Sequence, residues 1–185
     1  MSDSKKVLFI VGSLRKASFN RQLAQLAARS LDGRAEVAFL DYADVPFMNQ
    51  DIEFPAPQSV TRVREEVTAA SGLWFVSPEY NHAVPAQLKN LVDWLSRPLV
   101  AGDYATPRPL TDKPAVISGA GGRGAALDGR RGLEELLVRM DVRVIGGAGE
   151  GFVLPKEAWA QGVYVVSPED EARLAAQGDA LVAAL

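Results

Sequence analysis

The sequence predicts an α/β domain, a doubly wound five-stranded parallel sheet with helices on both faces. Three observations lead there. Strand-like and helix-like segments alternate along the chain, the pattern of successive βαβ units. The clearest strand-like segments are short, continuous apolar runs, as strands buried on both faces require. No composition break, internal repeat or low-complexity tract divides the 185 residues, a length that suits one domain spanning 1–185.

Val7–Val11 reads as the first buried strand, and Leu23, Leu26, Ala27 and Leu31 then recur at helical spacing. Glu36–Leu40 is a second strand, followed by an irregular stretch holding Pro46, Asn49, Pro55 and Pro57. Val60, Val63 and Val67 predict a helix, and Leu73–Val76 a third strand. Leu88, Leu91, Val92 and Leu95 keep the i, i+3, i+4, i+7 pattern of a helix. Pro85 is acceptable in its first turn, and Pro98 ends it. The stretch to Pro114, with Pro107 and Pro109, reads as a structured connection, lid or interface arm. Ala115–Ile117 is a fourth strand; Leu133, Leu136, Leu137 and Met140 mark a helix; Val142–Ile145 is a fifth strand. Ser167, Pro168, Glu169 and Asp170 form a strong helix start: a capping hydroxyl, proline at the first helical position and acids in the first turn.

Composition removes whole classes of chemistry. The absence of cysteine excludes disulfides, a thiolate nucleophile, cysteine-ligated zinc and iron–sulfur clusters. A single histidine, His82, excludes a metal site built on a histidine cluster, so no metal is expected. A net charge of −3 with scattered basic residues suggests neither a nucleic-acid nor a membrane-surface partner. The longest apolar runs are too short to span a bilayer. The polar Met1–Lys6 start leads into no signal-peptide core, so the expected address is the cytoplasm. What remains is chemistry carried by hydroxyls, carboxylates, cations, backbone amides or a bound organic cofactor.

Ligands of doubly wound sheets bind beyond the carboxyl ends of the strands, which directs attention to three loops. After the first strand, residues 12–20 read GSLRKASFN and open into a helix. Ser13 and Ser18 offer hydroxyls, Arg15 and Lys16 full positive charge, Asn20 an amide, and the helix start its dipole, together suited to a phosphate. The same residues also describe a capped helix with two solvated cations. No Gly-Lys-Ser/Thr follows, so this is not the loop of an ATPase or GTPase. After the third strand, residues 77–85 read SPEYNHAVP, where Tyr80 and Asn81 could meet a planar heteroaromatic ring. A proline-rich turn with a polar tip is the plainer alternative. After the fourth strand, residues 118–124 read SGAGGRG. Glycines this dense permit close backbone approach to a ligand or, equally, a flexible surface turn. Gly119, Gly121 and Gly124 satisfy G-x-G-x-x-G, but Asp141 precedes the next strand instead of following it, against a dinucleotide fingerprint. His82 reads as a surface or ring-edge residue and not as a general base.

Taken together, GSLRKASFN at 12–20, SPEYNHAVPAQLKNLVDWLSRP at 77–98 and DKPAVISGAGGRG at 112–124 resemble the NADPH-dependent FMN reductase family, which has a flavodoxin-like fold. The resemblance covers at least residues 5–145 in matching order. It implies an FMN-dependent oxidoreductase in which FMN takes hydride from NADPH or NADH and reduces quinones, or else chromate, ferric complexes, azo dyes or nitro compounds. It also implies that Ser13, Arg15, Ser18 and Asn20 hold the FMN phosphate. Pro78, Glu79, Tyr80 and Asn81 would flank the ring, largely through backbone groups, and Ser118, Gly119, Gly121 and Gly122 would close its pyrimidine side. Relatives form homodimers, often paired into tetramers. Where they commonly carry Gly-Gly-x-Arg, this chain reads Ala125, Ala126, Leu127 and Asp128, with Arg130 and Arg131 beyond. The rival reading is a flavodoxin-type single-electron carrier without turnover. Such carriers tend to be strongly acidic, which −3 over 185 residues does not match.

Overall fold

In the computed structural model, which describes residues 5–185, a parallel sheet is covered by helices on both faces. The polar start at 1–4 lies outside the described residues. The strands are β1 (Lys6–Val11), β2 (Glu36–Phe39), β3 (Gly72–Val76), β4 (Pro114–Gly121), β5 (Arg143–Val144) and β6 (Glu150–Val153). The helices are α1 (Phe19–Arg29), α2 (Gln58–Ala69), α3 (Ala86–Leu95), α4 (Leu127–Arg139), α5 (Lys156–Gln161) and α6 (Pro168–Ala184). Strand order is β2-β1-β3-β4, with β5 and β6 both on the outer side of β4. The chain moves outward from β1 to β2, then crosses to β3 on the other side of β1. The carboxyl ends of β1 and β3 therefore flank the switch point where such sheets leave a crevice.

Alternation along each strand divides the core. Leu8, Ile10, Leu73, Phe75, Ala115 and Ile117 pack on one face against α2, α3 and α4. Val7, Phe9, Val11, Trp74, Val76 and Val116 pack on the other against α1, α5 and α6. Phe9 stacks between Phe39 and Trp74, with both centroid separations 5.1 Å. Each fully buried side chain of this size stabilises the fold by about 1.5–3 kcal/mol. Caps match the sequence signals: Ser18 Oγ accepts from Asn20 N, and Ser167 Oγ from Asp170 N ahead of Pro168.

The fifth strand position differs from the expected Val142–Ile145. Only Arg143 and Val144 pair with Pro114 and Ala115. The chain then jogs through Gly146, Gly147 and Gly149, all at positive φ, before Glu150–Val153 pair with Ser118–Gly121. This second piece extends the ladder along β4, so Ser118 and Gly119, expected in a loop, lie inside a strand. Ser118 is buried: its Oγ accepts from Trp74 Nε1 (2.9 Å) and donates to Gln177 Oε1 (2.6 Å). Arg130, also buried, fastens the jog by donating to the carbonyls of Ala148 (2.7 Å), Gly149 (2.6 Å) and Ala125 (3.2 Å). Burial pulls its guanidinium pKa below the ordinary arginine value.

Candidate functional site

The three loops converge at the switch point because each is pinned by its neighbours. Gly12 N donates to Val76 O (2.9 Å), and Gly12 O accepts from Gln87 Nε2 (2.8 Å). A Cβ at Gly12 would overlap the Ser77 hydroxyl, so only glycine lets the first two loops pass this closely. Among the described residues, the backbone N–H groups of residues 13–17 have no internal hydrogen-bond partner. They precede the α1 N-terminus, where an anion is favoured, and of these residues Ser13 and Arg15 line the cavity that the three loops enclose. The Arg15 guanidinium lies 5.5 Å from the Phe19 ring centroid and adds full charge. Asn20 is buried, with its amide Nδ2 on Ala120 O (2.9 Å) and its Oδ1 on Ala120 N (2.8 Å). Both ends of that amide are thus committed to tying α1 to β4, and Asn20 sets the gap between the first and third loops.

In the second loop, Tyr80 and Ala83 exchange two backbone hydrogen bonds of 3.1 Å around Asn81 (φ 52°) and His82 (φ 61°). Both turn residues are left-handed, a region where Asn and His are enriched among non-glycine residues. The Tyr80 hydroxyl lies 3.4 Å from Ser13 Oγ. The third loop enters α4 through Ala125 (φ 48°) and Ala126 (φ 57°), an arrangement glycine would adopt with less strain. These are the positions that depart from Gly-Gly-x-Arg. Without a side-chain cap of its own, α4 is capped from the second loop, where Glu79 Oε2 accepts from Asp128 N (3.1 Å) and Gly129 N (3.2 Å).

The loops enclose a cavity of about 390 Å³. Of the residues singled out from sequence, Ser13, Arg15, Ser18, Asn20, Pro78, Glu79, Tyr80, Gly121 and Gly122 line it. Asn81, Ser118 and Gly119 are not in its lining; Asn81 is exposed at the turn tip, and the other two are buried in β4. Sequence reading missed Phe19, Ala120, Leu154 and Trp159. Leu154 and Trp159 follow from β6, which delivers α5 beside the first loop. The Trp159 ring meets Phe19 edge-on at 5.2 Å.

His82 Nδ1 lies 2.7 Å from Asp128 Oδ2, outside the cavity lining. Hydrogen bonding to Asp128, its charge and that of Glu79 raise the imidazole pKa above its ordinary 6.5. A raised folded-state value means the contact adds stability below about pH 6.5, the unfolded value, and loses it as pH rises through the folded value. As the only histidine, His82 gives an unambiguous NMR titration. We expect a midpoint above 6.5 that returns toward it in Asp128→Asn. A parent midpoint at or below 6.5 would show the pair is not formed.

The family described as NADPH-dependent FMN reductase matches residues 5–150. An NAD(P)H-dependent FMN reductase of Pseudomonas aeruginosa is 38% identical over 144 residues, 77% of this chain and 74% of the relative. A quinone reductase of Escherichia coli is 36% identical over 152 residues, 78% and 76% of the two chains. Among solved structures, the flavoenzyme NAD(P)H:(acceptor) oxidoreductase FerB of Paracoccus denitrificans superposes with a TM-score of 0.84 at 29% identity, covering 97% of this chain and 96% of that one.

Proposed function

Because the chain belongs to the NADPH-dependent FMN reductase family, we propose that its FMN occupies the cavity between the three loops and that its electron acceptors are quinones. The enzyme class, oxidoreductase, and the cofactor pair of FMN and NAD(P)H go with that membership. One observation carries the placement: a single cavity at the switch point is lined both by Ser13, Arg15 and the Ser18 start of α1 and by Tyr80, Gly121 and Gly122. The first feature suits a phosphate, the second a flat ring. Bound FMN supplies hydride acceptance from NAD(P)H and two-electron delivery to the acceptor. The protein's residues bind and orient it: Ser13, Ser18 and Arg15 hold the phosphate, Asn20 holds the two loops at the needed separation, and Pro78 to Tyr80 flank the ring. Chromate, ferric complexes and azo or nitro compounds are further candidate acceptors for the same site. Purified protein should be yellow, with flavin absorption bands and one FMN per chain; protein that binds no FMN would overturn the reading.

If donor and acceptor use the same exposed edge of the ring, they cannot be bound together. Initial-rate lines at several quinone concentrations should then be parallel, the ping-pong pattern. Intersecting lines would indicate a ternary complex. His82, turned to Asp128, plays no essential acid–base part in this scheme.

We read residues 1–185 as one FMN-binding unit, acting in the cytoplasm as a homodimer or as a tetramer built from dimers. No helix among the described residues is long and apolar enough to cross a membrane. Supporting self-association, a hollow of about 600 Å³ away from the loops is lined by Phe54, Pro55, Ala56, Ala69 and Leu99, with Thr61, Arg64, Glu65 and Thr68 beside them. Phe47, Val100 and Tyr104 stand 79%, 63% and 81% exposed. Large exposed apolar surface of this kind marks interaction sites. Light scattering should give at least twice 19.9 kDa; the monomer mass alone would refute self-association.

A further inference from the structure

On the FMN reading of this cavity, we infer that Glu79 is a positioning residue whose carboxylate caps α4 from the second loop and lowers the affinity of the site for reduced relative to oxidised FMN. The helix is thirteen residues long and begins at the third loop, beside Gly121 and Gly122 of the cavity wall. Its own N-cap position is Ala126, which has no side chain able to accept a hydrogen bond. Two of its first amides, Asp128 N and Gly129 N, converge on one oxygen of Glu79 at 3.1 and 3.2 Å. The approach is enforced by Gly129: a Cβ there would sit 2.7 Å from Glu79 Cβ and 3.3 Å from Ala83 O. Glu79 itself lines the cavity.

A helix N-terminus carries roughly half a positive charge, concentrated on its unsatisfied N–H groups. Left uncapped, this one would favour negative charge accumulating on a reduced ring bound between the same loops. The Glu79 carboxylate opposes that field and adds its own negative charge at the cavity edge, so the oxidised ring is held in preference. The same two hydrogen bonds, reinforced by the 2.7 Å contact of His82 with Asp128, fix the second loop against the third.

Glu79→Gln keeps the shape and an accepting oxygen but removes the charge; Glu79→Ala removes both. The ratio of dissociation constants for oxidised and reduced FMN, obtained from anaerobic titration or from the midpoint potential of the bound flavin, is the readout. We expect Glu79→Gln to bind reduced FMN about tenfold better relative to oxidised FMN, equivalent to a midpoint about 30 mV higher for a two-electron couple. Glu79→Ala should show at least that shift together with faster hydrogen exchange at Asp128 and Gly129. A ratio within about twofold of the parent in FMN-bound Glu79→Gln would overturn the tuning role. Unprotected Asp128 and Gly129 amides in the parent would overturn the cap, and that measurement needs no variant. Parent protein that takes up no FMN would instead defeat the FMN reading itself.

Discussion

Arg15→Ala is expected to weaken FMN binding by about 1.5–3 kcal/mol, roughly 10- to 150-fold, the range of a charge-assisted hydrogen bond. Arg15 sits on the cavity wall, makes no ion pair among the described residues, and is held over the Phe19 ring. Its charge is therefore available within the stretch whose amides have no internal partner. Lys16 is the internal control: exposed and outside the cavity lining, it should change affinity by no more than about threefold when replaced by alanine, as an isolated surface charge does. Fluorescence quenching on titration of FMN into apoprotein measures both. Because Arg15 is exposed, its contribution should shrink as ionic strength rises. Equal, small effects from the two variants would place Arg15 in solvent and leave the phosphate to the backbone.

Gly149→Ala should cost about 3–5 kcal/mol of folding free energy, the sum of backbone strain and overpacking. Its φ is +63°, and a Cβ would overlap the carbonyl oxygen of Ile117 in β4, a backbone atom that cannot swing away. Gly162, with φ +72° and nothing within 4 Å of its would-be Cβ, isolates the strain alone. Gly162→Ala should lose only about 1 kcal/mol. The difference between the two denaturant midpoints then measures the steric part. Equal losses would mean that β6 can shift outward without penalty, and that the jog is looser than its hydrogen bonds to Arg130 indicate.

The parts of the molecule that could be read from the sequence are those governed by local pattern. Val7–Val11 and Leu73–Val76 announce themselves as buried runs, Ser167-Pro168 as a helix start, and GSLRKASFN as the loop that opens into α1. What was hidden depends on pairing between distant segments. Glu150–Val153 is too short and too glycine-flanked to show a strand period, and it becomes a strand only because β4 offers Ser118–Gly121 as an edge. That pairing in turn withdraws Ser118 and Gly119 from the loop expected for them and brings Leu154 and Trp159 to the cavity. Asn20 lines the cavity as its place in the loop suggests, but its bonds to the Ala120 backbone, one hundred residues away, are not legible locally. Glu79 looked like one more residue of a ring-flanking tetrapeptide, and its bonds to the start of α4 leave no trace in local sequence. The displacement of glycine by Ala125 and Ala126 was visible, but not that both would keep the left-handed backbone.

The three tryptophans differ in a way that gives the molecule a built-in optical probe. Trp74 and Trp94 are fully buried, and their indole N–H groups are bonded to Ser118 and to the carbonyl of Pro46. Trp159 is 58% exposed and lines the cavity at its Phe19 side. Two emitters thus sit in rigid, apolar surroundings, while the third is exposed at the Phe19 end of the cavity. Light absorbed at the red edge of the tryptophan band and collected at long wavelength should favour the exposed indole over its buried neighbours. Occupancy of that end can then be followed in the unlabelled protein, even with colourless anions such as inorganic phosphate that carry no flavin signal of their own.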